Sequence, residues 1–289
     1  MIPPVLIGID WGGTHVRALA LDESGAVSAH RDAAHGALDL KPEAFAGVLE
    51  RLVGDWRTEG APVLICGMAG SRRGWTEAPY APAPASAEDL ARTLTEVEPG
   101  VFIVPGVCTQ SEQGLTDIMR GEETQSLGAG EGVFTAVCPG THSKWVRVQD
   151  GRITDFTTYM TGELYAVLKR HSLLGEGMSE APFDAEAFDD GARRGLQDGR
   201  ITRALFSVRV GWIDGRLKSG AADYLSGLLI GSEIADAAQA DAPLRLIGAP
   251  GLSRRYVRAL SLAGVVPAQT IDAQAAVAAG LMRIWRHRS

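Results

Sequence analysis

The feature that most constrains this chain is a short motif that it carries twice. Ile7-Gly8-Ile9-Asp10-Trp11-Gly12-Gly13-Thr14-His15 leads into the apolar run Val16 to Leu21 and a turn at Asp22-Glu23-Ser24-Gly25. Val137-Cys138-Pro139-Gly140-Thr141-His142 leads into Ser143-Lys144-Trp145-Val146-Arg147-Val148 and a turn at Gln149-Asp150-Gly151. The two Gly-Thr-His triplets stand 127 residues apart, and a basic residue follows each, Arg17 and Lys144. Apolar runs joined by glycine turns read as the opening of a β-meander, written twice. The copies differ at one telling position: Asp10 in the first corresponds to Val137 in the second. Two Gly-Thr hairpins and one carboxylate suggest an ATP-binding cleft between two related halves, because small residues let backbone N–H groups approach phosphate oxygens.

Each half continues as alternating helices and strands, an α/β pattern. In the first half, Ala26 to Arg31 reads as a third strand. Pro42 to Arg57 has helical spacing, with Phe45, Val48, Leu49, Leu52, Val53 and Trp56 on one face. Val63 to Cys66 and Val101 to Val104 read as buried strands. Gly121 to Gly130 reads as a helix whose first-turn acids suit the helix dipole. In the second half, helices are expected at Thr161 to His171 (Thr161 as N-cap), Phe183 to Gly199, Ala221 to Ala240, Ser253 to Leu262 and Asp272 to Arg286, with a strand at Leu244 to Ile247. The expected domains are residues 1–130 and 131–289, with the last helix near the hinge.

Composition narrows the function classes. A length of 289 residues accommodates two domains with proper cores, and 45% hydrophobic with 22% charged residues is ordinary for a globular protein. The net charge of −7 argues against nucleic acid or an anionic membrane as the main partner. Cys66, Cys108 and Cys138 are odd in number and widely spaced, so they read as buried thiols of a reducing cytoplasm. No signal segment or membrane-spanning apolar run is apparent.

Three further segments carry chemistry-bearing residues. Gly67 to Tyr80 follows a buried strand, where α/β proteins place ligand loops, and holds Ser71, Arg72, Arg73, Trp75, Glu77 and Tyr80 in a glycine-rich setting. Such a loop suits a carboxylate bound bidentately and hydroxyls bound singly. Asp117, Glu122 and Glu123 lie between the hairpins, and any of the three is a candidate general base. Gly248-Ala249-Pro250-Gly251 is a strand-to-helix turn whose Gly248 and Gly251 admit a flat ligand against the backbone.

The two hairpins resemble the phosphate-1 and phosphate-2 loops of the actin, hexokinase and Hsp70 superfamily, and Leu246 to Leu260 resembles its adenosine motif. That resemblance implies a two-domain actin-like ATPase (ribonuclease H-like) fold with an internal duplication. It gives Gly12, Gly13, Thr14, Gly140, Thr141, His142, Ser143 and Lys144 to the phosphates and places Asp10 close to magnesium. Gly121-Glu122 is similar in position to the Gly-Asp pair that holds the base of glycerol-kinase-like sugar kinases. Asp10-Trp11-Gly12-Gly13-Thr14, Gly67 to Tyr80, Met119 to Gln125, Pro139 to Trp145 and Met160 to Leu164 together resemble the 2-dehydro-3-deoxygalactonokinases. This implies ATP- and Mg2+-dependent phosphorylation of 2-dehydro-3-deoxy-D-galactonate at its 6-hydroxyl, in galactonate breakdown, with Ser71, Arg72, Trp75, Glu77 and Tyr80 at the sugar acid. The family's common Gly-Thr-Thr reads Gly-Gly-Thr here. The alternatives are a kinase of another sugar or sugar acid on the same fold, or a non-catalytic ATP-binding regulator. The expected partners are small molecules, and a dimer is one option for the assembly.

Overall fold

The computed structural model describes residues 3–57, 60–110, 114, 116–178, 180–197, 200–237 and 242–288. The chain packs as two compact units. Unit 1 comprises Met1–Val133, Val146–Phe156 and Ile271–Ser289; unit 2 comprises Phe134–Trp145 and Thr157–Thr270.

Unit 1 opens with β1 (Leu6–Trp11), β2 (Val16–Leu21) and β3 (Val27–Ala33), the meander expected from the first motif. After helix α1 (Phe45–Val53), β4 (Val63–Gly67) joins β1 in parallel, pairing Asp10 with Cys66 and Trp11 with Gly67. With β7 (Thr95–Glu98) and β8 (Val101–Ile103) the sheet order is β3-β2-β1-β4-β8-β7. Strands β1 and β4 are apolar and buried at almost every position, as covering on both faces requires. The Phe45, Val48, Leu49, Leu52 and Val53 stripe of α1 covers one face, so the helical spacing read from the sequence is the buried one. A smaller sheet, β10-β9-β5, consists of β5 (Tyr80–Pro82), β9 (Gly106–Gln110) and β10 (Thr116–Met119). Ser86 caps the short helix α2 (Ala87–Arg92) in a reciprocal box with Asp89.

Helix α3 (Glu122–Gly128) packs against the alanine-rich α9 (Ala273–Arg286). Their axes come close because Gly128 faces the Ala276 carbonyl and Gly280 faces the Thr124 carbonyl; a Cβ on either glycine would lie 1.9 or 2.0 Å from that oxygen. Asp272 caps α9 by accepting from the N–H groups of Gln274 and Ala275.

The second motif forms β11 (Phe134–Cys138), β12 (Ser143–Gln149) and β13 (Arg152–Tyr159), and β14 (Leu244–Gly248) pairs with β11 in parallel. With β6 (Ala85–Ser86) and β15 (Gln269–Asp272) the order is β15-β14-β11-β12-β13-β6. The run β13-β12-β11-β14 repeats β3-β2-β1-β4, so the duplicated motif corresponds to a duplicated topology. Unit 2 is completed by α4 (Thr161–His171), α5 (Ala185–Gln197), α6 (Ile201–Ile213), α7 (Ala221–Ala237) and α8 (Pro250–Leu262). Helices α5 and α7 cross through Gly191, Gly195, Gly227 and Gly231, each lying against backbone of the other helix.

Three details depart from the sequence reading. Met160, not Thr161, precedes α4, and Thr161 offers no cap because its hydroxyl donates to Glu233. Helix α8 begins at Pro250, whose missing N–H is harmless in a first turn, so Gly251 lies within the helix. Helix α6 was not expected. The expected C-terminal limits of α5 and α7 fall on residues 198–199 and 238–240, outside the described residues. No helix among the described residues is long and apolar enough to cross a membrane.

Candidate active site

In unit 1 the carboxyl ends of β1 and β4 lie side by side, and α3 begins against them. Gly67 has φ +90 and a Cβ there would stand 2.6 Å from the Trp11 carbonyl oxygen. Gly121, with φ +111, starts α3, and its Cβ would stand 3.4 Å from the Gly67 Cα. Positive φ favours glycine at both positions, and at Gly67 the approach to the Trp11 carbonyl leaves no room for a Cβ. Asp10 of β1 and Glu122 of α3 therefore share one electrostatic neighbourhood. Burial pushes the Asp10 carboxyl above its usual range, Arg17 pulls it back, and the Glu122 charge pushes it further up. Arg17 is the cross-strand neighbour of Asp10, with Nη1 3.6 Å from Oδ2. The second copy has Val137 at the equivalent place, fully buried in the unit 2 core.

The two glutamates at the start of α3 differ sharply. Glu122 is half-buried and accepts from the Arg120 N–H at 3.2 Å. Glu123 is fully buried, accepts from the Gly121 N–H at 2.6 Å and from the Thr124 hydroxyl at 2.9 Å, and is pushed up to about 7 by burial and then by the Glu122 charge. Burial likewise raises the thiol of neighbouring Cys66. Asp117 lies on β10, where its carboxylate accepts from the Ile118 N–H. The charges acting on Asp10 are those of Arg17 and Glu122.

The first hairpin is braced by the segment after β3: the Ala37 and Leu38 N–H groups donate to the carbonyls of Gly12 and Gly13. Thr14 is exposed, its hydroxyl 3.1 Å from His15 Nδ1. In the loop after β4, Arg72 and Glu77 are exposed. Trp75 faces the core instead, stacking on Phe45 at 5.9 Å and meeting Trp11 edge-on at 6.3 Å. Tyr80 carries the Arg120 guanidinium on its ring, 4.3 Å from the centroid. Arg120 Nη2 donates to the Ala78 carbonyl at 2.7 Å, while its Nε and Nη1, like the Ser71 hydroxyl, are buried without a partner. Arg120 escapes a motif search because its ties to Ala78 and Tyr80 span about forty residues.

Unit 2 presents the second hairpin. Gly140 and Thr141 reach its tip, and the first turn of α4 rests on them. The Glu163 N–H donates to the Thr141 carbonyl at 2.9 Å, and a Cβ on Gly162 would lie 2.3 Å from the Gly140 carbonyl oxygen. His142 bonds through Nε2 to the Glu163 carboxylate, which ties the hairpin to α4. Ser143 and Lys144 are buried: Ser143 is bonded to Tyr256, and Lys144 Nζ donates to the His142 carbonyl. Their side chains brace the hairpin from behind. A cavity of ≈ 200 Å³ opens beside Gly140, between α4, α7 and α8, with Gly162, Leu229, Leu252 and Tyr256 on its walls. Gly248 lies against Pro139 and the buried Ser253 hydroxyl, whereas a Cβ on Gly251 would meet nothing within 4 Å.

Comparison with known proteins places this arrangement. The model of a family described as 2-keto-3-deoxy-galactonokinase matches residues 10–284. The 2-dehydro-3-deoxygalactonokinase of Escherichia coli strain K12 is 38% identical over 264 residues, covering 89% of this chain and 90% of its own. The crystal structure of a candidate 2-dehydro-3-deoxygalactonokinase from Sinorhizobium meliloti superposes with a TM-score of 0.88 at 37% identity, covering 97% of this chain and 98% of its own. At the level of fold alone, component A of (R)-2-hydroxyglutaryl-CoA dehydratase from Acidaminococcus fermentans gives a TM-score of 0.54 at 13% identity, over 98% of this chain and 99% of its own.

Proposed function

The chain belongs to the 2-keto-3-deoxy-galactonokinase family, and from that premise we propose that it moves the γ-phosphoryl group of ATP to the 6-hydroxyl of 2-dehydro-3-deoxy-D-galactonate, a step of galactonate catabolism. It is a sugar-acid kinase with the actin-like ATPase fold. The observation that carries the mechanism is the convergence of Asp10 and Glu122 at the β1, β4 and α3 ends, where Glu123 is buried and Asp117 is bound to its own strand.

In the proposed reaction the Glu122 carboxylate accepts the proton of the 6-hydroxyl as that oxygen bonds to phosphorus. The bond from phosphorus to the ADP oxygen breaks, and ADP leaves with the electron pair. Arg72, exposed on the loop after β4, receives the substrate carboxylate, and Ser71, Glu77 and Tyr80 complete the sugar-acid side. Gly12, Gly13 and Thr14 in unit 1 and Gly140 and Thr141 in unit 2 offer donors to the phosphates. Gly248 and the cavity beside Gly140 serve the nucleoside. In this reading residues 1–130 carry the first phosphate loop and the sugar-acid site and residues 131–289 the second phosphate loop and the adenosine site, in a cytoplasmic enzyme.

Magnesium fits the Asp10 side. Asp10 and Glu122 repel each other, and Arg17 compensates only in part, so a cation would relieve the site. Among the described residues no group of three or more His, Cys, Asp or Glu forms a metal cage. One carboxylate with waters and phosphate oxygens is the set magnesium prefers. The ion would neutralise charge on the transferring phosphate.

The test is a coupled assay for ADP release across 2-keto-3-deoxy acids, comparing the galacto and gluco epimers. Turnover with the galacto acid is expected. No turnover with any of these acids would reject the substrate assignment.

A further inference from the structure

Glu233, near the end of α7, is only 3% exposed and has no place in either hairpin. Its Oε1 accepts from Trp145 Nε1 at 2.8 Å. Its Oε2 accepts from the Tyr256 hydroxyl at 2.7 Å and from the Thr161 hydroxyl. Tyr256 gives its proton to Glu233, so at 2.8 Å it accepts the proton of Ser143. One carboxylate thereby orients four donors on three other elements: β12, the first residue of α4, and α8. Of these, α4 and α8 line the ≈ 200 Å³ cavity, β12 leads out of the Gly140-Thr141 tip, and α4 rests on that tip through the Glu163 N–H.

A buried carboxylate is a poor choice for stability alone, because well-packed apolar residues serve a core as well or better. What a carboxylate adds is direction. As an acceptor-only group it compels every hydroxyl and indole N–H around it to point inward, leaving one arrangement of the network. We propose that Glu233 is a positioning residue for nucleotide binding: it fixes the second hairpin, the first turn of α4 and α8 in the one relation that receives the phosphates and nucleoside of ATP. This rests on the kinase reading for the identity of the ligand.

Two variants test it. Glu233→Gln keeps the shape of the side chain but turns one acceptor into a donor, so Thr161, Tyr256 and Ser143 must reverse their protons. Tyr256→Phe keeps the carboxylate but removes one of its donors and, with it, the link to Ser143. ATP binding is measured by titration calorimetry without sugar acid, beside steady-state kinetics and thermal melting. Glu233→Gln is expected to weaken ATP binding about tenfold, the scale of one misdirected charged hydrogen bond, with the KM for the sugar acid changed by less than about twofold. Tyr256→Phe should weaken ATP binding by about threefold, and the double variant should be no weaker than Glu233→Gln, because the two act through one network. ATP affinities within about twofold of wild type in both variants, with only the melting temperature lowered, would overturn the assignment. Should Glu233→Gln fail to fold, the ATP affinity of Tyr256→Phe decides. A wild type that binds ATP but phosphorylates no sugar acid defeats the kinase reading alone, while one that binds no ATP defeats both.

Discussion

Gly121 and Gly67 meet backbone to backbone, close enough that a Cβ on the first would touch the Cα of the second at 3.4 Å. This contact seats α3 on the ends of β1 and β4 and brings the charge of Glu122 to Asp10. Both glycines hold positive φ, a conformation an L side chain rarely adopts, so the seat is fixed by backbone and not by an adjustable side chain.

The first prediction concerns the base. Glu122→Gln keeps the size of the side chain and removes its capacity to take a proton. Its kcat should fall roughly 10²- to 10⁴-fold, with ATP affinity unchanged. Near-normal turnover, measured by ADP release, would remove Glu122 from the mechanism.

Asp10→Asn should raise the Mg2+ concentration needed for half-maximal activity about tenfold or more, because a neutral amide holds metal-bound water less well than a carboxylate. A magnesium titration at saturating ATP checks this. An unaltered requirement would take Asp10 off the metal.

Arg72→Ala should raise the KM for the sugar acid by about tenfold or more, the loss of a charge-assisted contact, while ATP binding stays as it was. Arg72 is exposed, so the variant should fold normally and a changed KM can be read as binding. An unchanged KM would reject the carboxylate assignment.

The buried Glu123 predicts a pH signature in stability. Its carboxyl sits at about 7 in the fold against 4.5 when unperturbed, so the folded state binds the proton more tightly. Its contribution is complete below the unperturbed value and is lost as pH rises through about 7. Glu123→Gln stays neutral throughout. The variant should therefore gain on the wild type as pH rises from about 5 to 8, by up to about 3 kcal/mol. Melting curves across that range test it, and a difference independent of pH would refute the linkage.

Gly280→Ala places a methyl group 2.0 Å from the Thr124 carbonyl oxygen, where α9 meets α3. Alanine gains helix propensity of about 1 kcal/mol, but the helices must part to admit it. A net loss of roughly 1–3 kcal/mol is expected from urea unfolding, with a fall in kcat because α3 carries Glu122. Equal or greater stability would show that the crossing is slack.

What was legible in the sequence was local. The meanders, the parallel strands Val63–Gly67 and Leu244–Gly248 and the stripe of α1 announce themselves through apolar runs and spacing. Helix α6 does not: Ala204, Val208 and Gly211 are buried while Phe206, Val210 and Ile213 are exposed, so apolar residues on both faces erase the period. The hairpins could be named from their glycines, but the carboxylate behind the second could not, since Trp145 and Glu233 lie 88 positions apart. Likewise Trp75 reads in the sequence as part of a ligand loop, and only its packing against Phe45 and Trp11 shows it partly buried against the core.

Unit 1 is assembled from three stretches of chain, and the last of them, Ile271–Ser289, follows the whole of unit 2 in sequence. On the ribosome, then, Glu122 emerges early but the α9 buttress behind its helix is made after all of unit 2. The close crossing of α3 and α9, Gly280 against the Thr124 carbonyl, can therefore form only when synthesis has passed residue 280, long after the strands it rests behind have emerged.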